Sequence, residues 1–397
     1  MKVSIIDDAF TGWTGHNAGY NFSICDELAR RSIDYQLFAH QSLREFPGLH
    51  ANVLPTFKQN THTALFGSRF LPDTVNRVLK LVVVNSRHFL DLITKVSSSV
   101  NDRDIILIAV ESRYTSFAYG LWLFVLFLRK VRVTAVFVVH NVPSKILKWE
   151  MRFLRMLAVG HHIVLTAHTQ AIAGLCEAAT GQRCYLLPLP FKNNEREHEK
   201  ERGPLRSGSV SFTYLGVASF AKGFDMVVEA IGGIEDMLES GEVELTIQSN
   251  AYQESEESNK LREALISQTR KMPAIGVMKG PLSSEQYYLE MERADVILIP
   301  NRGEFYEYAL SGVFTESLAR GKPVIVSEDT YMAKELKQHG GGMTFPSGSA
   351  TALAGAIRAA TAGIAELREK ALTARIAWLD RHNPERYVDA LLEISNH

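Results

Sequence analysis

The sequence is poor in cysteine, in net charge and in long hydrophobic runs, and each shortage excludes a class of protein. The three cysteines are Cys25, Cys176 and Cys184, and none belongs to a CxxC pair. Neither a structural zinc site nor a disulfide framework is therefore indicated. We expect a protein of a reducing compartment, the cytoplasm.

Charge and hydropathy narrow the class further. Lys and Arg number 43 against 44 Asp and Glu, so no overall positive field is present to gather nucleic acid. The longest apolar stretch, residues 119–128, is about half of the roughly 20 residues that a membrane span needs. The chain enters a strand-like segment at residues 2–6 without the charged and then apolar pattern of a signal peptide. These features predict a soluble or peripheral protein that binds no nucleic acid.

The length of 397 residues suits two domains. In residues 1–190, strand-like runs alternate with amphipathic helical segments, which predicts a parallel, doubly wound sheet. Strands are expected at 3–6, 35–39, 105–110, 133–139, 163–165 and 185–187, with a helix at 17–31. The segment 191–208 is almost without apolar side chains from residue 192 to 204, and we interpret it as an interdomain linker.

A second alternating series occupies residues 209–380. Strands are expected at 210–215, 243–248, 277–280, 296–299, 323–327 and near 343, with a helix from 224. The predicted fold class is α/β, with two Rossmann-like, doubly wound domains facing each other. Ligands of such sheets bind outside the carboxyl ends of the strands, which predicts a site in the cleft between the domains. Residues 381–397 are expected to form a helix that could return to the first domain.

The most informative segment is residues 295–322, where a short buried strand leads through a polar loop into a helix. The helix is expected to open at Ser311 and Gly312, with the Ser311 hydroxyl as its cap. The first backbone N–H groups, those of Gly312, Val313 and Phe314, then point beyond the strand ends and predict an anion site. Glu316, one turn further on, is suited to accept hydrogen bonds from a ribose diol. Phosphate and ribose together predict a nucleotide.

Four motifs in chain order resemble the retaining GT-B glycosyltransferases of glycosyltransferase family 4. They are a glycine-bearing loop at 11–17, a strand end at 138–141, the loop 214–225 that opens the second domain, and the helix start 311–323. The resemblance covers most of the chain, and its specific motifs lie in the second domain. It implies that the second domain binds a nucleotide sugar and that the first binds the acceptor.

In the loop of the second domain, Gly216, Lys222 and Gly223 match the family pattern of Gly-Arg, four residues, Lys-Gly. Val217 stands where the family has the Arg. The resemblance implies that Lys222 balances the charge of the donor diphosphate during catalysis and that Gly216 lies at the donor.

In the following motif, Glu316 matches the second of the family's paired glutamates, and Tyr308 stands in place of the first. The family's first glutamate holds hydroxyls of the donor sugar. Glu304 and Glu307, in the same loop, could supply the missing carboxylate. We therefore assign Glu304, Tyr308 and Ser311, with the helix start, to donor binding.

Residues of the first domain receive their roles from the same resemblance. His140, at a strand end, would orient the donor sugar; the alternative is a histidine that only satisfies a nearby carbonyl. Gly12 and Gly15 would contact phosphate or sugar, although a GxxG loop is also an ordinary tight turn. The residues assigned to the acceptor are His16, Asn17 and Asn141.

No metal or other cofactor is expected. Asp102 and Asp104 form the Asp-x-Asp triplet that metal-dependent glycosyltransferases use, but the triplet precedes its strand and would lie at the wrong end of the sheet. We interpret it as a polar loop, and no other cluster in the sequence suggests a cation site.

A basic helix is predicted at residues 145–158. Lys145, Lys148, Arg152 and Arg155 recur at helical spacing beside apolar and aromatic residues. Such a helix can lie on anionic lipid, which is compatible with peripheral membrane contact and a lipid-linked acceptor. The alternative is a buried helix with one solvated basic face.

The sequence therefore predicts a metal-independent glycosyltransferase that moves a sugar, with retention, from a nucleotide diphosphate sugar to a carbohydrate or lipid-linked acceptor, as in polysaccharide biosynthesis. Two alternatives stay open. Val217 and Tyr308 are compatible with a non-catalytic GT-B binding subunit. A GT-B epimerase or phosphorylase would use the same two domains.

Overall fold

The computed structural model describes residues 1–12, 16–45, 51–58, 73–108, 115–140, 147–191, 208–250, 260, 263, 265 and 272–395. The chain divides into two compact units. The first comprises Met1–Pro190 with Asn383–His397, and the second comprises Phe191–His382. Most of the predicted linker, residues 192–207, lies outside the described residues.

The first unit is built on a parallel sheet of seven strands in the order β3-β2-β1-β4-β5-β6-β7. The strands are β1 Val3–Asp7, β2 Tyr35–His40, β3 Val53–Phe57, β4 Ile105–Ile108, β5 Thr134–Val139, β6 His162–Ala167 and β7 Cys184–Leu186. All residues of β1 and β4 are buried, as expected for strands covered by helices on both faces.

Helices of the first unit connect and cover these strands. They are α1 His16–Arg30, α2 Asp73–Asp91, α3 Ser116–Leu128, α4 Leu147–Leu157 and α5 Gln170–Thr180, with a π-helical turn at Leu92–Val96 and 3₁₀ turns at Gln41–Glu45 and Ser97–Ser99. Thr169 caps α5 by accepting a hydrogen bond from the Ile172 N–H, and Gly181 ends the helix in the left-handed conformation.

The second unit contains a parallel sheet of six strands in the order β10-β9-β8-β11-β12-β13. The strands are β8 Val210–Tyr214, β9 Val243–Ser249, β10 Ile275–Lys279, β11 Val296–Ile299, β12 Val324–Ser327 and β13 Gly342–Phe345. Their core is contributed by aromatic and branched side chains such as Phe212, Ile247 and Leu298.

The described helices after β8 are numbered on from α5. They are α6 Phe224–Ala230, α7 Glu235–Glu239, α8 Ser284–Arg293, α9 Gly303–Tyr306, α10 Gly312–Ala319, α11 Tyr331–His339, α12 Ala350–Ala362, α13 Ile364–Arg381 and α14 Pro384–Ser395, with 3₁₀ turns at Phe220–Lys222 and Ile231–Gly233.

The last helix, α14, belongs to the first unit although it follows the second in sequence. Tyr387, Val388, Leu391 and Ile394 of this helix are buried in the core of the first unit. Their spacing of one, three and three places them on one face of the helix.

Both sheets reverse their strand order at one position. In the first sheet β1 lies between β2 and β4, and in the second sheet β8 lies between β9 and β11. In such a sheet the loops after the two central strands diverge to opposite faces and leave a crevice at the carboxyl edge. Each unit therefore offers a ligand position beyond these strands.

Candidate functional site

The loop after β8 brings Lys222 back to the carboxyl edge of the second sheet. Its 3₁₀ turn, Phe220–Lys222, is followed by Gly223 in the left-handed conformation with φ of 66°. A side chain at Gly223 would collide with the carbonyl oxygen of Pro300, just beyond β11. Only glycine allows this close approach of the two loops.

Gly216 has no side chain and so leaves room for the Lys222 ammonium near the start of α10. A Cβ atom at Gly216 would lie 3.1 Å from Lys222 Nζ and 3.9 Å from Val313 Cγ2. The Gly216 N–H donates to Gln248 Oε1 at 2.7 Å, and Gln248 Nε2 donates to the Gly280 carbonyl at 3.1 Å. The structure thus brings the Gly216 and Lys222 motif and the Gly312 helix together in one unit.

Lys222 carries a positive charge that the described residues do not neutralise. Among them its ammonium has neither a hydrogen bond nor an ion pair, and its withdrawal from water lowers the pKa of the ammonium. Lys322 behaves differently, because its Nζ donates to the Glu292 and Ala294 carbonyls and pairs with Glu292 Oε2 at 3.3 Å. The Lys222 ammonium is therefore a cation with which an anionic ligand could form an ion pair.

Helix α10 supplies the second part of the anion position. It begins at Gly312, as the sequence predicts, but the Ser311 hydroxyl makes no capping hydrogen bond. The predicted cap is therefore wrong: Ser311 has extended backbone, and its carbonyl accepts from the Thr315 N–H at 3.1 Å. The N–H groups of the first helical turn have no partner within the helix and lie at its positive end.

The side chains of Val313 and Phe314 are withdrawn from solvent. Both are buried, and the Phe314 ring lies edge-on to Trp378 with 6.1 Å between centroids. A ligand at this helix start can therefore meet their backbone amides, while the Phe314 side chain packs the helix against α13.

Glu316 is a buried carboxylate with one free oxygen. It accepts a hydrogen bond from the Tyr287 phenol, and Arg320 lies close enough to favour its charged form, yet burial raises the pKa of Glu316 to about 7. Its Oε2 has no hydrogen-bond partner among the described residues. Buried polar atoms are nearly always paired, so this oxygen suggests an acceptor reserved for a ligand. Tyr287, on α8, was not identified from the sequence.

Arg302 binds the loop after β11 to the loop after β8. Its backbone N–H donates to the Ala221 carbonyl at 3.0 Å, and its guanidinium pairs with Asp225 and lies 3.8 Å from the Phe220 ring centroid. Asn301, its neighbour, is buried and its Nδ2 has no partner among the described residues. These contacts join the two loops next to Lys222.

The residues predicted to hold the donor sugar occupy the same loop. Glu304 lies in the short helix α9 and is exposed. Tyr308 is half-exposed, and a hydrogen bond with the Glu307 carboxylate raises the pKa of its phenol. The loop thus presents the Glu307 carboxylate and the Tyr308 phenol together. Tyr308 stands at the place of the family's first glutamate, and Glu307 stands one position before it.

Candidate residues of the first unit lie at the carboxyl edge of its own sheet. Gly12 follows β1 and is buried, and His140 follows β5 and is half-exposed. The His140 ring lies 5.1 Å from the His168 ring and 6.3 Å from the Tyr20 ring, measured between centroids. The remaining predicted residues, Gly15 and Asn141 and the side chains of His16 and Asn17, lie outside the described residues.

The Asp-x-Asp triplet lies at the amino end of β4. Asp104 Oδ1 accepts from the Lys2 N–H at 2.8 Å, and Asp102 Oδ1 accepts from the Arg132 N–H at 2.9 Å. Both carboxylates are thus engaged with backbone at the edge opposite the candidate site. The described part of the chain holds no group of three or more His, Cys, Asp or Glu side chains that could bind a metal ion.

The two-unit architecture is that of the GT-B glycosyltransferases. HepE from Anabaena, solved with UDP, superposes with a TM-score of 0.62 at 14% identity, over 100% of this chain and 99% of HepE. Sucrose-phosphate synthase from Thermosynechococcus elongatus gives 0.62 at 13% identity, over 100% and 98% of the two chains. The N-terminal domain of trehalose-6-phosphate phosphatase from Candida albicans gives 0.71 at 14% identity, over 100% and 97%.

The second unit carries the family signal. Residues 210–362 match the family Glycosyl transferases group 1, and this range lies within the second unit. The predicted GT-B fold and the resemblance to these glycosyltransferases are confirmed, whereas membership of family 4 and retention stay predictions. No curated protein sequence matches the chain.

Proposed function

We propose that the protein is a glycosyltransferase that moves a sugar from a nucleotide diphosphate sugar to a carbohydrate or lipid-linked acceptor. The second unit would hold the nucleotide, and the first would supply the acceptor site and His140. The observation that carries the proposal is the Lys222 ammonium beside the start of α10, without a neutralising partner among the described residues. A diphosphate at this place supplies the missing negative charge.

Glu316 supports the nucleotide part of the proposal. Its unpartnered Oε2 lies on the second turn of the helix whose first turn would bind phosphate. Ribose hydroxyls are donors of the right kind for a buried carboxylate oxygen. We propose uridine diphosphate as the first nucleotide to test, because the fold is shared with HepE, which has been solved with UDP and with UDP-glucose.

The proposed chemistry needs no metal and no covalent intermediate. The bond between the anomeric carbon and the diphosphate oxygen breaks, and the acceptor oxygen bonds to the same face of that carbon. The departing phosphate oxygen takes the proton of the acceptor hydroxyl. Lys222 and the backbone N–H groups of Gly312, Val313 and Phe314 stabilise the negative charge that grows on the leaving group.

The surface of α3 and α4 supports contact with a membrane. Four large apolar side chains are exposed there, at 41–66% of their full area: Leu121, Leu128, Trp149 and Met156. Lys148, Arg152 and Arg155 are exposed beside them on α4, and the Arg152 guanidinium lies 5.3 Å from the Trp149 ring centroid. We call the four apolar residues and the three cations together the α3–α4 surface. Lys145 lies outside the described residues and is not counted in it.

Exposed aromatic and aliphatic side chains mixed with cations are typical of surfaces that bind anionic lipid. No described helix is long and apolar enough to cross a membrane. We therefore propose that the α3–α4 surface brings the first unit to a lipid-linked acceptor.

A ligand screen followed by a transfer assay tests the proposal. A nucleotide sugar that binds only the folded protein raises its melting temperature by mass action, so UDP-, GDP- and ADP-sugars are compared by thermal shift. The stabilising sugar is then supplied with acceptor mixtures in the presence of EDTA, and transfer is expected to continue. Transfer that stops in EDTA and returns with magnesium contradicts the metal-independent chemistry.

The same assay separates the alternatives. A binding subunit would show a thermal shift without transfer or donor hydrolysis. An epimerase would convert the donor sugar without an acceptor, and a phosphorylase would require inorganic phosphate.

A further inference from the structure

Two histidines lie side by side at the carboxyl edge of the first sheet. His140 follows β5 and His168 follows β6, and these strands pair in parallel with Val139 opposite Ala167. The two rings are therefore neighbours, with 5.1 Å between centroids and 48° between planes. Both side chains are half-exposed.

His168 is fixed through both ring nitrogens. Its Nδ1 lies 2.8 Å from the Leu187 carbonyl oxygen, and its Nε2 lies 3.2 Å from the Tyr20 hydroxyl. A carbonyl oxygen can only accept, so Nδ1 carries a hydrogen whether the ring is neutral or charged. The Tyr20 hydroxyl in turn donates to the Tyr387 hydroxyl at 3.0 Å.

This chain of hydrogen bonds is complete in two protonation states. Withdrawal from water raises the pKa of Tyr20 and of Tyr387, so each hydroxyl keeps its one hydrogen. When Tyr20 donates to Tyr387, His168 Nε2 must donate to Tyr20, which corresponds to a protonated ring. When both hydroxyls turn round, Tyr20 donates to Nε2 and the ring is neutral. His168 thus gains a proton without losing a hydrogen bond.

We propose that His168 is a positioning residue that takes the first proton of the histidine pair and so keeps His140 uncharged as the pH falls. A charged ring next to a second imidazole disfavours protonation of that second ring. Among the described residues, the titratable groups near the pair include Tyr20 on α1, Tyr387 on α14 and, beside Tyr20, Asp7 at the end of β1. Burial raises the pKa of Asp7 to about 7.

This role rests on the proposed function, in which His140 would orient the donor sugar. Positive charge develops on a sugar ring as its leaving group departs. A neutral His140 can orient a hydroxyl without opposing that charge, whereas an imidazolium would raise the barrier. Because Tyr387 comes from α14, the last helix of the chain takes part in holding this pair.

Titration of the histidine ring protons by NMR tests the inference on the ligand-free, full-length protein. Signals of the two residues are assigned from His140→Gln and His168→Gln. In the parent protein His168 should titrate at the higher pH, and in His168→Gln the pKa of His140 should rise by about one unit. A His140 titration that is the same in parent and variant overturns the proposal.

Two tyrosine variants distinguish this role from packing. Tyr20→Phe removes the oxygen that accepts from a protonated Nε2, so His168 should titrate lower and His140 higher than in the parent. Tyr35→Phe changes another buried phenol of the same unit, which belongs to the first residue of β2 and so lies at the amino edge of the sheet. This variant should leave both titrations unchanged. Equal effects of the two variants would assign the shift to packing and refute the proposed role of His168.

The pH profile of sugar transfer is the second readout. In His168→Gln and Tyr20→Phe the acidic limb of turnover should move to higher pH by about the shift measured for His140, with turnover at pH 8 within a few-fold of the parent. The NMR result does not depend on transfer activity. An inactive protein with the expected titrations would therefore refute the proposed function and still support the proposed role of His168.

Discussion

At the scale of the residue, Lys222 is expected to matter for catalysis and not for folding. Lys222→Met keeps a side chain of similar length and removes the charge. Loss of one preorganised charge on a developing anion costs a few kcal/mol, so turnover should fall by roughly 10²-fold or more. Desolvation lowers the pKa of Lys222, so its charged form disfavours the folded state at neutral pH, and the ligand-free variant should melt no earlier than the parent.

Lys322→Met is the matched control, because that lysine is also withdrawn from water but is fully paired. It should lower the melting temperature and leave the shift caused by nucleotide sugar intact. A well-folded Lys222→Met protein with near-normal transfer rates would remove Lys222 from the mechanism.

Glu316 should make donor binding depend on pH. Its pKa is raised to about 7, so the carboxylate that accepts ribose hydroxyls is fully formed only above that pH. Affinity for a nucleotide sugar, whose esterified phosphates do not titrate in this range, should rise between pH 6 and 8. Glu316→Gln should bind about tenfold more weakly at pH 8 and lose this dependence, as measured by calorimetry.

The same raised pKa affects stability with the opposite sign. The contribution of Glu316 to the stability of the folded protein is fully present below the ordinary glutamate pKa near 4.5, and it is lost as the pH rises through 7. The ligand-free Gln variant should therefore melt above the parent at pH 8. Glu335→Gln, at a buried glutamate of α11, should leave nucleotide affinity unchanged; equal losses in both variants would speak against the ribose assignment.

At the scale of the element, the loop after β8 requires glycine at position 216 for two separable reasons. Its φ is 111°, which disfavours any side chain, and a Cβ atom there would press on the Lys222 ammonium. Gly208 has a similar φ of 123°, and no atom lies within 4 Å of the place that its Cβ atom would take. Gly216→Ala and Gly208→Ala should therefore lose similar stability, while only Gly216→Ala should lose the thermal shift given by nucleotide sugar. A retained shift would show that Lys222 can move aside without loss of binding.

Most strands could be predicted from the sequence because strands buried on both faces form short apolar runs between polar loops. The exception is β3, Val53–Phe57, which has Pro55 in its middle and only partly buried residues at its second and third positions. Proline is tolerated at the edge of a sheet, and β3 is the edge strand of the first unit. A proline-containing run gives no strand signal without knowledge of its neighbour β2.

Some residues of the candidate site could also be predicted from local sequence, and others could not. Lys222, Gly312 and Glu316 each lie in a short motif next to a strand, so their placement at the carboxyl edge could be predicted. The cap predicted at Ser311 is wrong, because its residue type permits a capping hydrogen bond that its side chain does not make. The hydrogen bonds that run from His168 to Tyr20 and from Tyr20 to Tyr387 join residues 148 and 367 positions apart, and no local pattern encodes them.

At the scale of the whole molecule, each unit contributes one part of the proposed reaction. The group 1 match covers only the second unit, in line with the recognisable phosphate and ribose motifs there. The first unit has the fold without such a match, and the α3–α4 surface lies on it. The choice of acceptor is therefore expected to depend on the first unit.

The α3–α4 surface should bind anionic vesicles. Each cation near an anionic surface adds on the order of 1 kcal/mol, so reversing Lys148 and Arg152 to Glu should release the protein from vesicles and slow transfer to a membrane-bound acceptor. Donor hydrolysis should be unchanged, because the proposed nucleotide site lies in the other unit.

The control reverses two exposed lysines on α11 of the second unit, Lys334→Glu with Lys337→Glu. It makes the same change in net charge and should leave vesicle binding intact. Co-sedimentation at low salt, where screening is weakest, decides the matter. A parent protein that stays in solution there would leave α4 as a helix with a solvated basic face and point to an acceptor in solution.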